Sequence, residues 1–399
     1  MSDALTTPVP AEVVRARFGV SVVFAVHGAV AGTFATRVPA LADRVHAGPG
    51  ALGVALIAPS VGALLAMPVA AKLTHRFSSR ATVRVLLLAW CVALLLPSVA
   101  PGYTGFVVAL LVFGATAGMA DVAMNAQGVV VEQRYGRSIM SGLHGLWSAG
   151  GLIASAVGAL AAHAGVPPPL HFLGVTVALC VIGAFACRLL LDIRLPDDGA
   201  PAFALPSRAV LVVGLVGFCA VFAEGGSADW CAVYLRTVTG AEPGLAAAAY
   251  TGFALAMTGG RLVGDRVVRR FGSVATVRVS GAIAVTGALL VVLAPVPAIA
   301  IAGFALLGLG VAVVVPLCFA AAGTIGPNPA RAIASIATIA YGAGLAAPGA
   351  IGGIAAATSL PFSFVLVGLL CAVLVVGAGA LRTRGAKGSS RDLATISNP

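Results

Sequence analysis

Residues 121–151 read DVAMNAQGVVVEQRYGRSIMSGLHGLWSAGG, and the flanking runs 103–120 and 152–162 contain no charge. A carboxylate (Asp121), an amide (Asn125), an imidazole (His144) and an indole (Trp147) therefore sit inside two membrane-length helices joined by a polar turn at 132–138. At about 100° per residue, Asp121, Asn125, Gly128 and Glu132 share one stripe of the first helix, and His144, Trp147, Ser148 and Gly151 share one stripe of the second. Folding the hairpin puts Asn125 level with His144, and Asp121 a turn deeper beside Trp147 or Ser148. An ionisable group near a helix centre costs about 2.5–3.5 kcal/mol on insertion scales, so such groups face a bundle interior or a wet cavity. The chemistry on offer is hydrogen bonding to a polar solute and proton loading on a carboxylate that moves between wet and dry surroundings. The plainer alternative is a buried polar network that pins two helices together.

A second cluster, residues 224–230, reads EGGSADW. Glu224 lies about 22 Å along a helix that starts at Ala209, near mid-membrane. The Gly225-Gly226 pair weakens the helix there and leaves room for a break, since irregular backbone is tolerated where it lines a cavity. Asp229 and Trp230 fall nearer the outer face, where an interfacial tryptophan is the plainer reading of Trp230. His27 is near the middle of the first apolar span, and Arg37 at its outer end is placed to snorkel or to guard a gate. Near the other end of the chain, Pro316, Tyr341 and Pro348 are the expected bending or cavity residues of otherwise uncharged spans.

The elements that position these residues follow from composition. Hydrophobic residues make up 60% of the 399-residue chain and charged residues 9%, with a mean hydropathy of +1.05, where a soluble domain carries about 25% charge. The expected fold class is an all-α polytopic membrane protein with twelve transmembrane helices. The cysteines, seven in all, lie in apolar runs without metal-ligand spacing, so neither a disulfide framework nor a metal or cofactor site is expected. With the N-terminus inside, 21 of the 24 lysines and arginines fall on inner segments, leaving Arg37, Arg44 and Arg236 outside. Such asymmetry is the positive-inside pattern, so the +11 charge reflects topology and gives no reason to expect nucleic acid as a partner. In this reading Arg261, Asp265, Arg266, Arg269 and Arg270 form a basic inner loop, with Asp265 and Arg266 joining Arg37 as gating candidates.

The chain also repeats itself. RFSSRATVRV at 76–85 matches RFGSVATVRV at 270–279 in eight of ten positions at an offset of 194, close to half the chain. Parallel halves related by an axis along the membrane normal are a transporter design with solute held between them. The expected division is a cytoplasmic tail at 1–17, a six-helix bundle at 18–191, a linker at 192–208, a second six-helix bundle at 209–381 and a tail at 382–399. No P-loop, HExxH or GxSxG signature appears, so the chain is not expected to be an enzyme.

Five blocks carry a family resemblance: FATRVPAL at 34–41, DVAMNAQ at 121–127, SGLHGLWSAGG at 141–151, EGGSADWCAVYL at 224–235 and GRLVGDRVVRRFG at 260–272. Over almost its full length the chain resembles a major facilitator superfamily transporter. It is similar to the MosC-like branch, which is related to sugar permeases and includes a candidate rhizopine transporter. Two features depart from the superfamily pattern. The first copy of the loop between spans two and three lacks its acid, and the fifth span lacks the Gly-Pro pair of proton–drug antiporters.

The resemblance implies two pseudo-symmetric bundles and transport by alternating access. The resulting expectation is a monomeric, proton-coupled symporter of the bacterial inner membrane, with both termini cytoplasmic, carrying a sugar or inositol-like solute. Asp121 is the first candidate proton carrier and Glu224 the second. His27, Asn125, His144, Trp147, Asp229, Trp230 and Tyr341 are the candidate solute contacts. The rival readings are a multidrug or metabolite exporter of the same fold, which 6% aromatic content disfavours, and a membrane sensor that binds solute without moving it.

Overall fold

The computed structural model describes residues 9–137, 139–194, 207–322, 325 and 329–382. Among these, all regular structure is helical: α1 (Ala11–Arg44), α2 (Pro49–Arg76), α3 (Ser79–Ala93), α4 (Leu96–Val99), α5 (Gly102–Tyr135), α6 (Met140–His163), α7 (Pro168–Cys187), α8 (Arg208–Val238), α9 (Pro243–Val292), α10 (Pro297–Val311), α11 (Val314–Ala322), α12 (Pro329–Ala357) and α13 (Leu360–Gly377). Most of the expected linker and of the expected C-terminal tail lie outside the described residues, as do residues 1–8; residues 11–17, expected as part of the N-terminal tail, are instead the first turns of α1.

Eleven described segments are long and apolar enough to cross a membrane. The remaining crossing is the first part of α9, whose apolar character is diluted by Tyr250, Thr251, Thr258 and Arg261. Gly272, at φ 79° and ψ 162°, divides α9 into helices at 243–271 and 273–292. Only glycine takes that backbone without strain, which explains a sharp corner without a loop. The inner segment expected to be a basic loop at 260–271 is therefore helix, because the turn needs only the single glycine at 272.

A further expectation is corrected, and the room for a break goes unused. The Gly225-Gly226 pair does not break its span: α8 is continuous from Arg208 to Val238, and Ile351 of α12 packs against Gly226. The α5–α6 hairpin does fold, with Glu132 accepting the N–H groups of Ile139 (2.6 Å) and Met140 (2.9 Å) at the start of α6. The two helices nevertheless do not lie stripe to stripe. Helix α6 packs mainly on α1, because Gly28 sets its backbone against the carbonyl of Trp147, a space in which no Cβ fits.

The halves meet along α1–α8, α2–α12 and α6–α9. At the end remote from the chain termini, Arg236 pairs with Asp43 at 2.6 Å, Gly53 of α2 stands backbone to backbone with Gly352 of α12, and Gly244 packs on His163. Nearer the middle, Ser60 donates to the carbonyl of Gly344 at 3.3 Å. Toward the terminal end the halves part: open space lies beside Gly142, Gly145 and Gly259, and His144 is exposed. The molecule is closed at one end and open at the other.

Candidate functional site

Helix α5 carries Asp121 and Asn125 one turn apart, both half-buried. The Asn125 amide donates to Asp121 Oδ1 (3.1 Å) and to the Asp121 carbonyl (2.9 Å). Among the described residues no cation forms an ion pair with Asp121. Its charge acts on His27, on His144 of α6 and on Tyr341 of α12. Asp121 is therefore within electrostatic reach of Tyr341 in the other half as well as of His27 and His144 in its own. Tyr341, 37% exposed, lines a cavity of about 400 Å³ between the halves with Ser60, Leu64, Trp90, Ala117 and Val221.

His27 and Trp147 are not among the residues that line that cavity, and they bond to each other. Trp147 Nε1 donates to His27 Nδ1 at 3.0 Å, and His27 Nε2 lies 3.2 Å from the carbonyl of Ala117. One nitrogen accepts and the other donates, so the ring is the neutral Nε2–H tautomer. Trp90 stacks on it at 5.3 Å between centroids, and its indole donates to the His27 carbonyl at 3.3 Å. His27, 6% exposed, holds α1, α3, α5 and α6 together. Among the described residues no hydrogen bond joins Asp121 to Trp147 or Ser148: Trp147 bonds His27 of α1, and Ser148 bonds the His144 carbonyl and Arg261.

On the other half, Glu224 Oε1 accepts from Arg261 Nη2 at 3.0 Å, with both side chains about a quarter exposed. Arg261 Nη1 reaches Ser148 Oγ of α6 at 3.3 Å, so one guanidinium joins the two halves at mid-depth. Sequence reasoning missed Arg261 by reading it with the basic run that follows. Helix length carried the signal: Arg261 is about 27 Å from the start of α9 and about 17 Å from Gly272.

Asp229, five residues along α8 from Glu224, is half-buried, with no hydrogen-bond or ion-pair partner among the described residues. Glu224, Asp229 and Arg261 all act electrostatically on Tyr250 of α9, which puts them around one space. Trp230 is fully buried, with its indole N–H unpartnered. It is a packing residue, not an interfacial one, because its ring is fully enclosed by the protein.

Arg37 is 4% exposed. It donates one N–H to the carbonyl of Val166, while Nε and Nη1 have no partner. It does not snorkel, since the 166–168 turn covers it. Arg266 is exposed on α9, and the side chain of Asp265 lies outside the described residues. Among the described residues no three histidine, cysteine or acidic side chains gather as a metal site. The arrangement offers an uncompensated carboxylate on one half, an ion pair and a second carboxylate on the other, and an open face between them.

The family model described as Major Facilitator Superfamily matches residues 20–344. A transporter of Sinorhizobium fredii, y4wD, is 37% identical over 369 residues, covering 91% of this chain and 97% of its own length. The membrane protein MosC of Rhizobium meliloti is 31% identical over 343 residues, covering 84% of this chain and 83% of its own. Among solved structures, the nucleoside transporter NupG superposes with a TM-score of 0.72 at 12% identity, covering 92% of this chain and 98% of its own. At that identity the likeness speaks for the fold.

Proposed function

The chain belongs to the major facilitator superfamily, whose members are transporters and not enzymes, and on that premise we propose that it is a proton-coupled secondary transporter of a small polar organic solute, of sugar or inositol type. The observation that carries this reading is Asp121: a half-buried mid-membrane carboxylate one turn beyond Ala117 of the inter-half cavity, with the Asn125 amide on it and no ion-paired cation among the described residues. An uncompensated carboxylate opposes closure of a dry cavity around it, and a bound proton removes that opposition. Glu224 already has Arg261 as counter-ion, so its charge is compensated and it ranks second as carrier. His144, Tyr341 and Asp229 are the polar groups left open to the solute, while Asn125 orients Asp121.

The excess of inner lysines and arginines orients the open, terminal end toward the cytoplasm, with both termini inside a bacterial inner membrane. In this orientation the closed end faces out, and transport proceeds in a monomer as the halves rock about the solute.

The experiment is uptake by proteoliposomes with and without an imposed proton gradient, beside solute exchange at equilibrium. Asp121→Asn abolishes gradient-driven accumulation and retains exchange, because a permanently neutral side chain still lets the loaded carrier reorient. Accumulation that survives in Asp121→Asn but fails in Glu224→Gln moves the proton site to α8. Survival in both removes proton coupling from these residues.

A further inference from the structure

At the terminal end of the first half, Glu12, Arg15, Arg80, Arg134, Arg188 and Asp192 ring a pocket of about 330 Å³. Its floor is a built piece of backbone. The carbonyl of Leu191 accepts from Ser79 Oγ and Gln127 Nε2, both at 3.2 Å, and Ser79 N donates to Ile193 O at 2.7 Å. Arg80 is held by the Leu190 carbonyl at 3.0 Å and by Asp192 at 3.8 Å. Among the described residues, no ion pair engages Arg15, Arg134 or Arg188. Four guanidinium groups against two carboxylates leave the pocket cationic, with three arginines free to reach an anion.

The exposed residues on α1, which carries Arg15, and on α7, which ends just before Arg188, identify the anion. On α1, Val14 and Phe18 are 49% and 59% exposed, and on α7, Val181 and Phe185 are 66% and 60% exposed. Phe18 lies three residues beyond Arg15, and Phe185 three residues before Arg188. The two helices run in opposite directions, so each exposed ring stands about one turn closer to the membrane centre than its arginine. The sequence of surfaces, arginine above and apolar ring below, repeats the order of headgroup and acyl chain in a lipid.

We propose that this pocket binds the phosphodiester headgroup of an anionic phospholipid, with the acyl chains descending along Phe18 and Phe185. Arg15, Arg134 and Arg188 reach the phosphate oxygens, whose charge and acceptors match guanidinium donors. Free phosphate shares the headgroup chemistry but has no use for the apolar rings. Occupancy ties the start of α1 to the ends of α5 and α7, so the lipid stabilises the first half.

The test uses the full chain purified in detergent, titrated with phosphatidylglycerol, phosphatidylcholine or inorganic phosphate, and followed by native mass spectrometry and thermal unfolding. Phosphatidylglycerol is expected to remain bound and to raise the unfolding temperature saturably, with phosphatidylcholine and phosphate doing neither. Arg15→Gln/Arg188→Gln should lower the phosphatidylglycerol to phosphatidylcholine binding ratio at least fivefold, and Arg134→Gln alone, at an exposed position, should lower it in the same direction. Arg208→Gln, which removes an exposed arginine outside the pocket, should leave the ratio unchanged. An equal loss in Arg208→Gln reduces the effect to general surface charge and overturns the site. Saturable stabilisation by inorganic phosphate overturns the lipid assignment, as does a phosphatidylglycerol ratio that the pocket variants do not change.

Discussion

Both ring nitrogens of His27 are committed to the protein, one to an indole and one to a carbonyl. A residue that reads in sequence as a lone histidine in an apolar span is thus a four-helix joint. Removing the partner that donates to it leaves a buried acceptor unsatisfied, which costs about 1–3 kcal/mol. Trp147→Phe keeps most of the ring and deletes only the N–H. It should lower the thermal unfolding temperature in detergent clearly more than Trp90→Phe does, since the Trp90 indole donates to a carbonyl that α1 already engages. Equal shifts would mean that ring packing and not the hydrogen bond sets the stability of the joint. Arg37 presents the opposite case. It is buried with two nitrogens unpartnered, an arrangement that disfavours the closed state shown here. That unfavourable burial is a physical reason to keep Arg37 as a gating candidate.

Glycine means two different things in these helices, and only the structure separates them. Gly28 stands against the backbone of Trp147, where an added Cβ meets a carbonyl that cannot yield, whereas Gly225 has nothing within 4 Å of that position. Alanine is favoured over glycine in a helix by about 1 kcal/mol. Gly225→Ala should therefore be neutral or stabilising, while Gly28→Ala should push α6 off α1 and reduce the monodisperse fraction in fluorescence-detected size-exclusion chromatography. A well-behaved Gly28→Ala protein would show that the α1–α6 approach is adjustable. The same distinction explains what was legible in the chain. Apolar runs and the 76–85 and 270–279 repeat announced twelve spans in two halves, because membrane insertion is written in composition. The continuity of α8 through Gly225-Gly226 was not legible, because the support comes from Ile351, more than 120 residues away. Nor was the position of α1 between α5 and α6: stripes predict which faces are polar, and packing decides which helix meets them.

For the whole molecule the relevant quantity is the balance between a far end that is closed and one that is open. The far-end seam combines close backbone contacts, Gly53 with Gly352, and one ion pair, Asp43 with Arg236. The backbone contacts are hard to tune without damage, but the ion pair can be removed cleanly. With side chains 37% and 56% exposed, it is a surface pair, worth about 0–1 kcal/mol. Such an increment cannot hold the protein shut alone, yet it shifts a two-state population by up to about fivefold. Ser60 reports on the seam from within, since its hydroxyl meets the Gly344 carbonyl across the halves. In a Ser60→Cys background, impermeant thiol reagent applied from the far side should label slowly. Background from the native cysteines is limited to Cys180, the others being buried. Asp43→Asn and Arg236→Gln should each raise the labelling rate by up to about fivefold, because both single variants remove the same attraction. Asp43→Arg alone should raise it further by adding repulsion, and Asp43→Arg/Arg236→Asp should return it toward the parent. Reagent that labels as fast in the parent as in the variants would mean that the seam at Ser60 is already open, and a charge swap that fails to restore protection would mean that the pair does not bias the two states.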